Sequence, residues 1–596
     1  MNIGSLTEVI NLLKQLIDVK NTTEAVLASD VKPKYVSEKN ISSLECATPE
    51  SQGVSSQYLL EYVKELREDR TIEMQNIMVI KNSKKIFEIS FDDHNIKIWK
   101  QTFSACKSIV SIAAGFAISE GLFTLDTPIC DIFQDEATAL NKITMKEVTM
   151  RDLITMRSAV QFAEVEATIT KNWMHGYLSS ALKGAPGKTF SYNSLNTYMI
   201  AAAIVKTSGV SLTEYLRERL FEPLGIGNIY WEKSPEGIEK GGWGLYIRPE
   251  DMAKIGVCVL NGGKWNEKQV IPAEWIREAT YPKAETPKDA GRFDYGYQIW
   301  CGRDSDTFLF NGMFGQNMLA FRNHGIVIIS NCANNEVFQG SNFYSTTLKY
   351  FYDSNDPRIS HAPLPEDPAS YEKLCRYAEE ERIGYGKSGA ELPEECRELD
   401  GLELEAVSES ANSVGVLPLG LQIVNNNYTK GTKSLKFEIT DGKFYVAYRE
   451  ADAMHRFPVG FARPLSVNMS FRGSVFRVAV SGEFAKNEDG IHVLKLRLCF
   501  VETPFVRKIK LYYDRGEYAL VFDETPTRRF AIENIKSIKS SLDDYAILKN
   551  TLSRIDDDYI EYKTNRTFHP EILLAKRTDN AAEGAETEQI TESQEL

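Results

Sequence analysis

The spacing of apolar residues divides the chain into a first part that mixes helices with strands and a second part rich in strands. Apolar residues recur at helical spacing between 55 and 66, and a long apolar run predicts a buried helix at about 104–121. The short runs 77–80 and 86–89, separated by the turn residues Asn82-Ser83, predict a hairpin. The early part of the chain is therefore a mixed α/β domain.

The second part has a different texture. Residues 294–300 alternate like a strand, and after residue 400 short alternating runs with turns between them predict a small antiparallel barrel or sandwich. We predict five segments along the chain. They are an N-terminal helix and linker at 1–45, an α/β domain at 46–352, a linker at 353–400 with a short helix near 370–381, a β-rich barrel-like domain at 401–576 and a disordered acidic tail at 577–596.

Composition and charge narrow the class of protein. Of the 596 residues 43% are hydrophobic, and the net charge is −14, which argues against a general nucleic-acid or anionic-membrane partner. Residues 1–20 do not resemble a signal peptide, and no run approaches the roughly 20 apolar residues of a membrane helix. The nine cysteines contain no Cys-x-x-Cys pair. We expect a cytoplasmic protein with no cysteine-based metal site.

Candidate chemistry begins at Ser104 and Lys107, which open the long apolar run. Residues three apart on a helix share a face, so a hydroxyl and an amine would lie side by side on its first turn. A serine needs a base to become a nucleophile, and a lysine whose pKa is lowered by burial can serve as that base. A helix start with an exposed lysine is the alternative interpretation of the same pair.

Two later stretches extend the candidate site. Tyr192 precedes Asn193 and Ser194, which can cap the next helix, and a tyrosine near a lysine can exchange protons with a serine. A structural tyrosine is the alternative. Residues 308–317 read as a strand that runs into a glycine-containing turn at Gly312. The glycines at 241–244 match no phosphate loop and indicate close backbone packing.

These stretches together resemble the serine β-lactamase and penicillin-binding protein superfamily, above all the class C β-lactamase-related esterases and amide hydrolases. The resemblance covers about residues 46–350 and includes the segments 154–158, 244–252 and 260–266. It implies a β-lactamase/transpeptidase-like α/β (α+β) fold, with an antiparallel sheet flanked by helices and a helical lobe. A small all-β domain follows the catalytic domain in many such hydrolases.

The resemblance also implies a role for each motif. Ser104 would be the acylated nucleophile, Lys107 its base or proton relay, and Tyr192 the partner in proton transfer, with the choice between the two bases left open. The oxyanion hole would use the backbone N–H groups of Ser104 and Met313. We expect the remaining substrate or oxyanion residues to be Asn193, Ser194, Gly312 and Phe310. No cofactor or metal is needed for this chemistry.

Two departures from the family pattern bear on the substrate. Ser194 stands where the family usually has an asparagine, with Asn193 between it and the tyrosine, and Phe310 stands before Asn311-Gly312 where a lysine or histidine would bind a substrate carboxylate. We therefore expect a small uncharged ester or amide, in an apolar pocket. Its lining would come from Phe310, Met313, Phe314 and Trp173.

Three functions remain open at this point. The first is a serine hydrolase acting through an acyl-enzyme on Ser104. The second is a β-lactamase or D-amino-acid peptidase with an unusual third motif, and the third is a non-catalytic, ligand-binding member of the fold. His175 is more readily a surface or packing histidine than a site residue, and the chain is a possible homo-oligomer.

Overall fold

The computed structural model forms two compact units. The first takes Val36–Phe91 and Asn95–Arg382, and the second takes the described residues from 392 onward together with residues 30–35 and His94. The structure describes residues 30–526 and 571–577, apart from 38–41, 92–93, 163, 169, 289–290, 305, 337–338, 354, 383–391, 408–413, 426, 428, 430 and 452. The predicted N-terminal helix and the acidic tail beyond 577 lie outside the described residues.

A seven-stranded antiparallel sheet forms the centre of the first unit. Its order is β2-β1-β12-β11-β10-β9-β8. These strands are β1 (Met74–Lys81), β2 (Lys84–Ser90), β8 (Phe293–Tyr295), β9 (Trp300–Gly302), β10 (Thr307–Gly312), β11 (Gln316–Phe321) and β12 (Ile326–Cys332). Short strands complete the unit; they are β3 (Lys100–Gln101), β4 (Tyr230–Trp231), β5 (Leu245–Ile247), β6 (Lys264–Trp265) and β7 (Lys268–Gln269).

Helices cover both faces of this sheet. On one face lie α1 (Ser56–Glu68) and α12 (Phe343–Phe351), and on the other lie α2 (Lys107–Ser119) and α10 (Pro249–Leu260), each packed on apolar strand residues. A helical lobe is inserted between β3 and β4. It contains α3 (Ile129–Ile132), α4 (Ala139–Thr144), α5 (Met150–Ile154), α6 (Glu164–Thr168), α7 (Trp173–Leu178), α8 (Ser194–Ser208) and α9 (Leu212–Leu216). Two further helices are α11 (Ala273–Ala279) and α13 (Pro368–Arg382). This is the predicted α/β fold.

The conformation of two turns explains why one strand prediction is correct and another is wrong. The hairpin β1–β2 is confirmed, with Asn82 and Ser83 at φ of 52° and 64°, the left-handed conformations that a two-residue hairpin turn requires. The single strand predicted at 294–300 is wrong, because the chain turns back at Gln298 (φ 57°) and makes β8 and β9 instead. The Gln298 side chain accepts a hydrogen bond from the Thr197 hydroxyl (2.6 Å), which holds this turn on the helical lobe.

The second unit is built on one antiparallel sheet of ten strands. Its order is β16-β15-β14-β13-β22-β21-β20-β19-β18-β17, and a bridge from Gly460, just after β16, to Ser481 in β18 brings β16 close to the opposite end of the sheet. The strands are β13 (Glu403–Ala406), β14 (Thr432–Thr440), β15 (Lys443–Glu450), β16 (Met454–Val459), β17 (Leu465–Phe471), β18 (Ser474–Lys486), β19 (His492–Phe500), β20 (Val506–Asp514), β21 (Glu517–Thr525) and β22 (Ile572–Lys576). The nearly closed sheet confirms the predicted barrel-like domain.

A helix fills part of the second unit. The helices of this unit are α14 (Glu395–Leu399) and α15 (Leu419–Asn425). The buried Glu524 carboxylate accepts the backbone N–H groups of Leu419 (2.7 Å) and Gly420 (3.2 Å), at the first turn of α15. Arg507 pairs with Glu524 (3.0 Å) and donates to the Leu417 carbonyl (2.8 Å). Buried charges therefore fix α15 against β20 and β21.

Candidate active site

Ser104 lies on a tight turn that leads into α2. A 3₁₀ turn spans Phe103–Cys106, and α2 begins at Lys107, so the prediction that both residues lie on the first turn of one α-helix is corrected. Phe103 has a φ of 48°, a conformation that costs free energy for a non-glycine residue. The edge of its ring packs on Phe314 (5.2 Å between centroids), and this contact holds the turn that presents the half-buried Ser104.

The Lys107 amine is the centre of the site. It is buried and donates to the Ser104 hydroxyl (2.8 Å), to the Ser194 hydroxyl (2.9 Å) and to the Gly242 carbonyl (2.6 Å). Burial lowers the pKa of Lys107 to about 8, while nearby Cys106 and Glu164 act in the opposite direction. An amine of this kind can lose its proton near physiological pH and accept one from Ser104.

Tyr192 lies against the same amine. Its ring is 4.9 Å from the Lys107 nitrogen and stacks on Trp300 at 5.9 Å. Burial raises the pKa of the Tyr192 phenol well above its usual range, although a hydrogen bond with Ser104 lowers it in part. The phenol is therefore neutral and keeps its proton, beside both the nucleophile and the amine.

The two residues after Tyr192 have different positions. Ser194 lies in the site, as its bond with Lys107 shows. Asn193 does not, which corrects its prediction as a substrate or oxyanion residue. Its side chain caps α8 through the Leu195 N–H (2.9 Å) and donates to the carbonyls of Val160 (3.2 Å) and Phe162 (2.9 Å). Asn193 therefore fixes the loop that carries Tyr192.

The third stretch passes close to the nucleophile turn. At the end of β10, a Cβ atom on Gly312 would lie 2.2 Å from the Thr102 carbonyl oxygen, so only glycine allows this approach. Met313 follows and is half-buried. Asn311 is turned to the other face of the sheet, where it bonds Asn317 (2.9 Å) and Tyr344 (2.8 Å).

The predicted apolar pocket needs a correction. Phe310 and Phe314 are fully buried in the structure, and Phe310 belongs to the core between the sheet and α2. Trp173 stacks on Trp243 at 5.4 Å and is only 4% exposed. Successive side chains of a strand point to opposite faces of the sheet, and in a central strand such as β10 both faces can be buried. The motif alone does not show whether Phe310 faces the core or the site. Of this set, Met313 alone is half-buried, and His175 is exposed, as expected.

Sequence reasoning missed two contributors to the site. The Gly242 carbonyl binds Lys107, in a glycine run that was interpreted as close packing; a Cβ atom there would lie 2.6 Å from the Ser194 carbonyl oxygen. Glu164 accepts the Ser194 N–H (3.2 Å) and raises the pKa of Lys107. The glycine run gave a signal for the first contact, but nothing in the sequence marks Glu164.

Two surveys of the described residues add to this description. No group of three or more His, Cys, Asp or Glu side chains that could hold a metal ion occurs in the part of the chain that the structure describes. None of its described helices is long and apolar enough to cross a membrane. The cytoplasmic location and the possible homo-oligomer stay predictions.

The fold and the site define the class of this unit. A serine hydroxyl bound to a buried amine of lowered pKa, next to a neutral tyrosine, is the arrangement of a serine hydrolase. Residues 62–343 match the family model described as Beta-lactamase. The first unit therefore contains a β-lactamase domain, which confirms the predicted resemblance and fold.

Curated relatives and solved structures were also compared. The chain is 23% identical over 198 residues to an uncharacterized protein from Alkalihalophilus pseudofirmus, covering 30% of this chain and 53% of that protein. It is 23% identical over 187 residues to a lovastatin esterase from Penicillium rubens, covering 27% and 46%. The chain thus spans about half the length of these relatives. A penicillin-binding protein homologue from Caulobacter crescentus matches with a TM-score of 0.43 and 14% identity, over 53% of this chain and all of that chain (100%).

Proposed function

We propose that the protein hydrolyses a small ester or amide through an acyl-enzyme on Ser104. The observation that carries this proposal is the 2.8 Å hydrogen bond between the Lys107 amine and the Ser104 hydroxyl. The lovastatin esterase among its relatives supports the ester class. Phe310 occupies the position at which the third motif usually has a lysine or histidine. Without that cation, substrates that bind through a carboxylate are disfavoured.

In the first half of the reaction, neutral Lys107 takes the Ser104 proton while Oγ attacks the carbonyl carbon. The carbonyl oxygen becomes an oxyanion, and the backbone N–H groups of Ser104 and Met313 would stabilise it. The tetrahedral intermediate collapses, the alcohol or amine leaves with a proton, and the acyl group stays on Ser104. In the second half, a water molecule attacks the acyl carbon and gives one proton to neutral Lys107. The bond between Oγ and the acyl carbon then breaks, Ser104 takes that proton from Lys107, and the acid leaves.

The two pKa directions support Lys107 as the base and Tyr192 as the relay. Burial lowers the pKa of Lys107 to about 8, so the amine is partly neutral near that pH, whereas burial keeps the Tyr192 phenol protonated. A neutral phenol beside Ser104 can donate its proton to the leaving group and recover it from the lysine. Ser194 and Gly242 hold the amine in line for both transfers.

Intact mass after treatment with a fluorophosphonate probe tests the proposal. We expect one covalent adduct on the wild type, none on Ser104→Ala, and an unchanged adduct on Ser191→Ala, which removes an exposed serine next to Tyr192. A folded wild type that takes up no label would overturn the hydrolase function.

A further inference from the structure

Glu164 is a carboxylate beside the nucleophile that the mechanism above does not use. It is half-buried at the start of α6, and its Oε1 accepts the backbone N–H of Ser194 at 3.2 Å. The same serine binds the Lys107 amine through its hydroxyl at 2.9 Å. One residue, Ser194, therefore links the Glu164 carboxylate to the Lys107 amine.

The Glu164 carboxylate acts on the Lys107 amine through its charge, but the two groups form no ion pair. Within the described part of the chain, no lysine or arginine nitrogen lies within 4.0 Å of its carboxylate, and its one hydrogen bond comes from a backbone group at the first turn of α8. Glu236, by contrast, accepts from the Trp173 N–H (2.8 Å) and the Tyr198 hydroxyl (2.7 Å). The second carboxylate oxygen, Oε2, has no hydrogen-bond donor among the described residues.

The net charge of Lys107 and Glu164 during the reaction determines which substrate charge the site attracts. When Lys107 acts as a base it is neutral, so Glu164 leaves these residues with a net negative charge. The position that would carry a cation in the third motif is the buried Phe310. A substrate carboxylate would meet repulsion here, and a substrate cation would meet attraction in a partly desolvated site.

We propose that Glu164 selects substrates that carry a positive charge, an ammonium group close to the scissile ester or amide bond. This inference rests on the proposed function, because it names the substrate class of the same site. The carboxylate binds the ammonium group and so places the scissile carbonyl at Ser104. Uncharged esters still react, but they lack this attraction.

Two matched pairs of esters test the inference, each pair differing only in one charge. Butyrylcholine and 3,3-dimethylbutyl butyrate place the difference in the leaving group. The p-nitrophenyl esters of 4-(trimethylammonio)butanoate and 5,5-dimethylhexanoate place it in the acyl group. We expect kcat/KM to favour the cationic member by about tenfold in at least one pair. Equal values within both pairs would overturn the inference.

Glu164→Gln separates charge from shape. The amide oxygen still accepts the Ser194 N–H, so in the variant the ratio of kcat/KM between the cationic and the neutral ester of a pair should fall to about one. The comparison is made at about pH 9, above the pKa of Lys107, because removing the carboxylate also lowers that pKa. Glu147→Gln is the matched control, since Glu147 is an exposed carboxylate in the same lobe. A preference that survives in Glu164→Gln would overturn the assignment.

The same protein preparation distinguishes this failure from failure of the hydrolase function. Absence of both turnover and a fluorophosphonate adduct overturns both proposals. If Ser104 is labelled but none of the four esters reacts, protection from labelling replaces turnover as the measurement. Choline should then protect Ser104 at about one tenth of the concentration of 3,3-dimethyl-1-butanol, and equal protection overturns the role of Glu164 alone.

Discussion

At the scale of single residues, the site depends on the hydrogen bonds that replace the hydration of the buried Lys107 amine. Lys107 loses hydration on burial, and three hydrogen bonds to Ser104, Ser194 and Gly242 replace its contacts with water. These acceptors are neutral, so they stabilise the charged form less than a carboxylate in contact would. The result is an amine whose proton is easily removed, next to the hydroxyl that has to be activated.

The pH dependence of acylation follows from this amine. In the proposed mechanism the neutral form is the base, so the rate of fluorophosphonate labelling should rise with pH and level off above about 8. In Glu164→Gln the rise should shift to lower pH, because a negative charge that favours protonated Lys107 is removed. Labelling rates measured across this range test both statements, and a shift to higher pH in the variant would contradict the second.

Replacing Lys107 shows separately what the amine contributes to the labelling rate and what it contributes to stability. Lys107→Met should lower the labelling rate by about 10²–10⁴-fold, the usual contribution of a general base. Its unfolding free energy should also lose a pH dependence that the wild type has. The folded pKa lies below the unfolded value, so wild-type stability rises as pH increases from about 8 towards 10.5. Denaturant unfolding at several pH values measures this, and parallel curves for both proteins would contradict it.

Residues that act through local spacing were predictable, and those that act across the fold were not. Ser104 and Lys107 are three positions apart, and any helical turn brings them together. Glu164 and Gly242 reach the site from positions 30 residues before and 135 residues after their partners Ser194 and Lys107. Asn193 was predicted both to cap a helix and to lie in the site. In the folded protein its side chain is fully used by the cap and by a loop carbonyl, so it is not available to the site.

At the scale of elements, the close approach of β10 to the nucleophile turn determines the site. The last residue of β10 is Gly312, and Thr102 precedes the turn. The Thr102 N–H in turn donates to the Leu245 carbonyl (2.9 Å) at the start of β5. The end of β10 and the nucleophile turn therefore lie in contact, and β5 holds the turn from its other side.

A methyl group at Gly312 should disturb this contact. In Gly312→Ala the new Cβ atom would meet the Thr102 carbonyl oxygen at 2.2 Å, so β10 or the turn must move. We expect a loss of about 1–3 kcal/mol of stability and at least tenfold slower labelling of Ser104. Thermal unfolding and labelling rates measure the two effects. In the control Gly340→Ala, where the nearest atom is 3.9 Å away, both should stay close to wild type.

Elements with strong local signals were predicted correctly and those set by packing were not. The hairpin turn at Asn82-Ser83 is determined by residues that are adjacent in the sequence. The division of 293–302 into β8 and β9 depends on Gln298, whose partners Leu153 and Thr197 belong to the helical lobe. No spacing within the strand region could have shown these contacts.

At the scale of the whole molecule, each unit has its own core and its own stabilising charges. The first unit packs helices on both faces of one sheet. The second has a nearly closed sheet and buries the pair Arg507–Glu524, whose carboxylate binds the first turn of α15. Regular short strands predicted the barrel-like class, but its closure depends on the Gly460–Ser481 bridge, which is not visible in the strand pattern.

Breaking the buried pair should affect the second unit more than the site. Arg507→Met leaves Glu524 charged and without its guanidinium, at a cost of about 3–5 kcal/mol. We expect an unfolding transition at lower denaturant concentration, with labelling of Ser104 unchanged before that transition. Arg515→Met is the control, since the Arg515 side chain is 92% exposed. Loss of labelling in folded Arg507→Met would show that the site depends on the second unit.

The three bonds of the Lys107 amine have a consequence for the study of folding. They join residues separated by up to 135 positions, so the amine meets all three acceptors only when the long-range topology of the first unit is complete. If Ser104 is the acylated nucleophile, as proposed, its labelling would report when that topology has formed. Labelling in short pulses during refolding would time the moment at which the last distant segment arrives, without any added dye or tag.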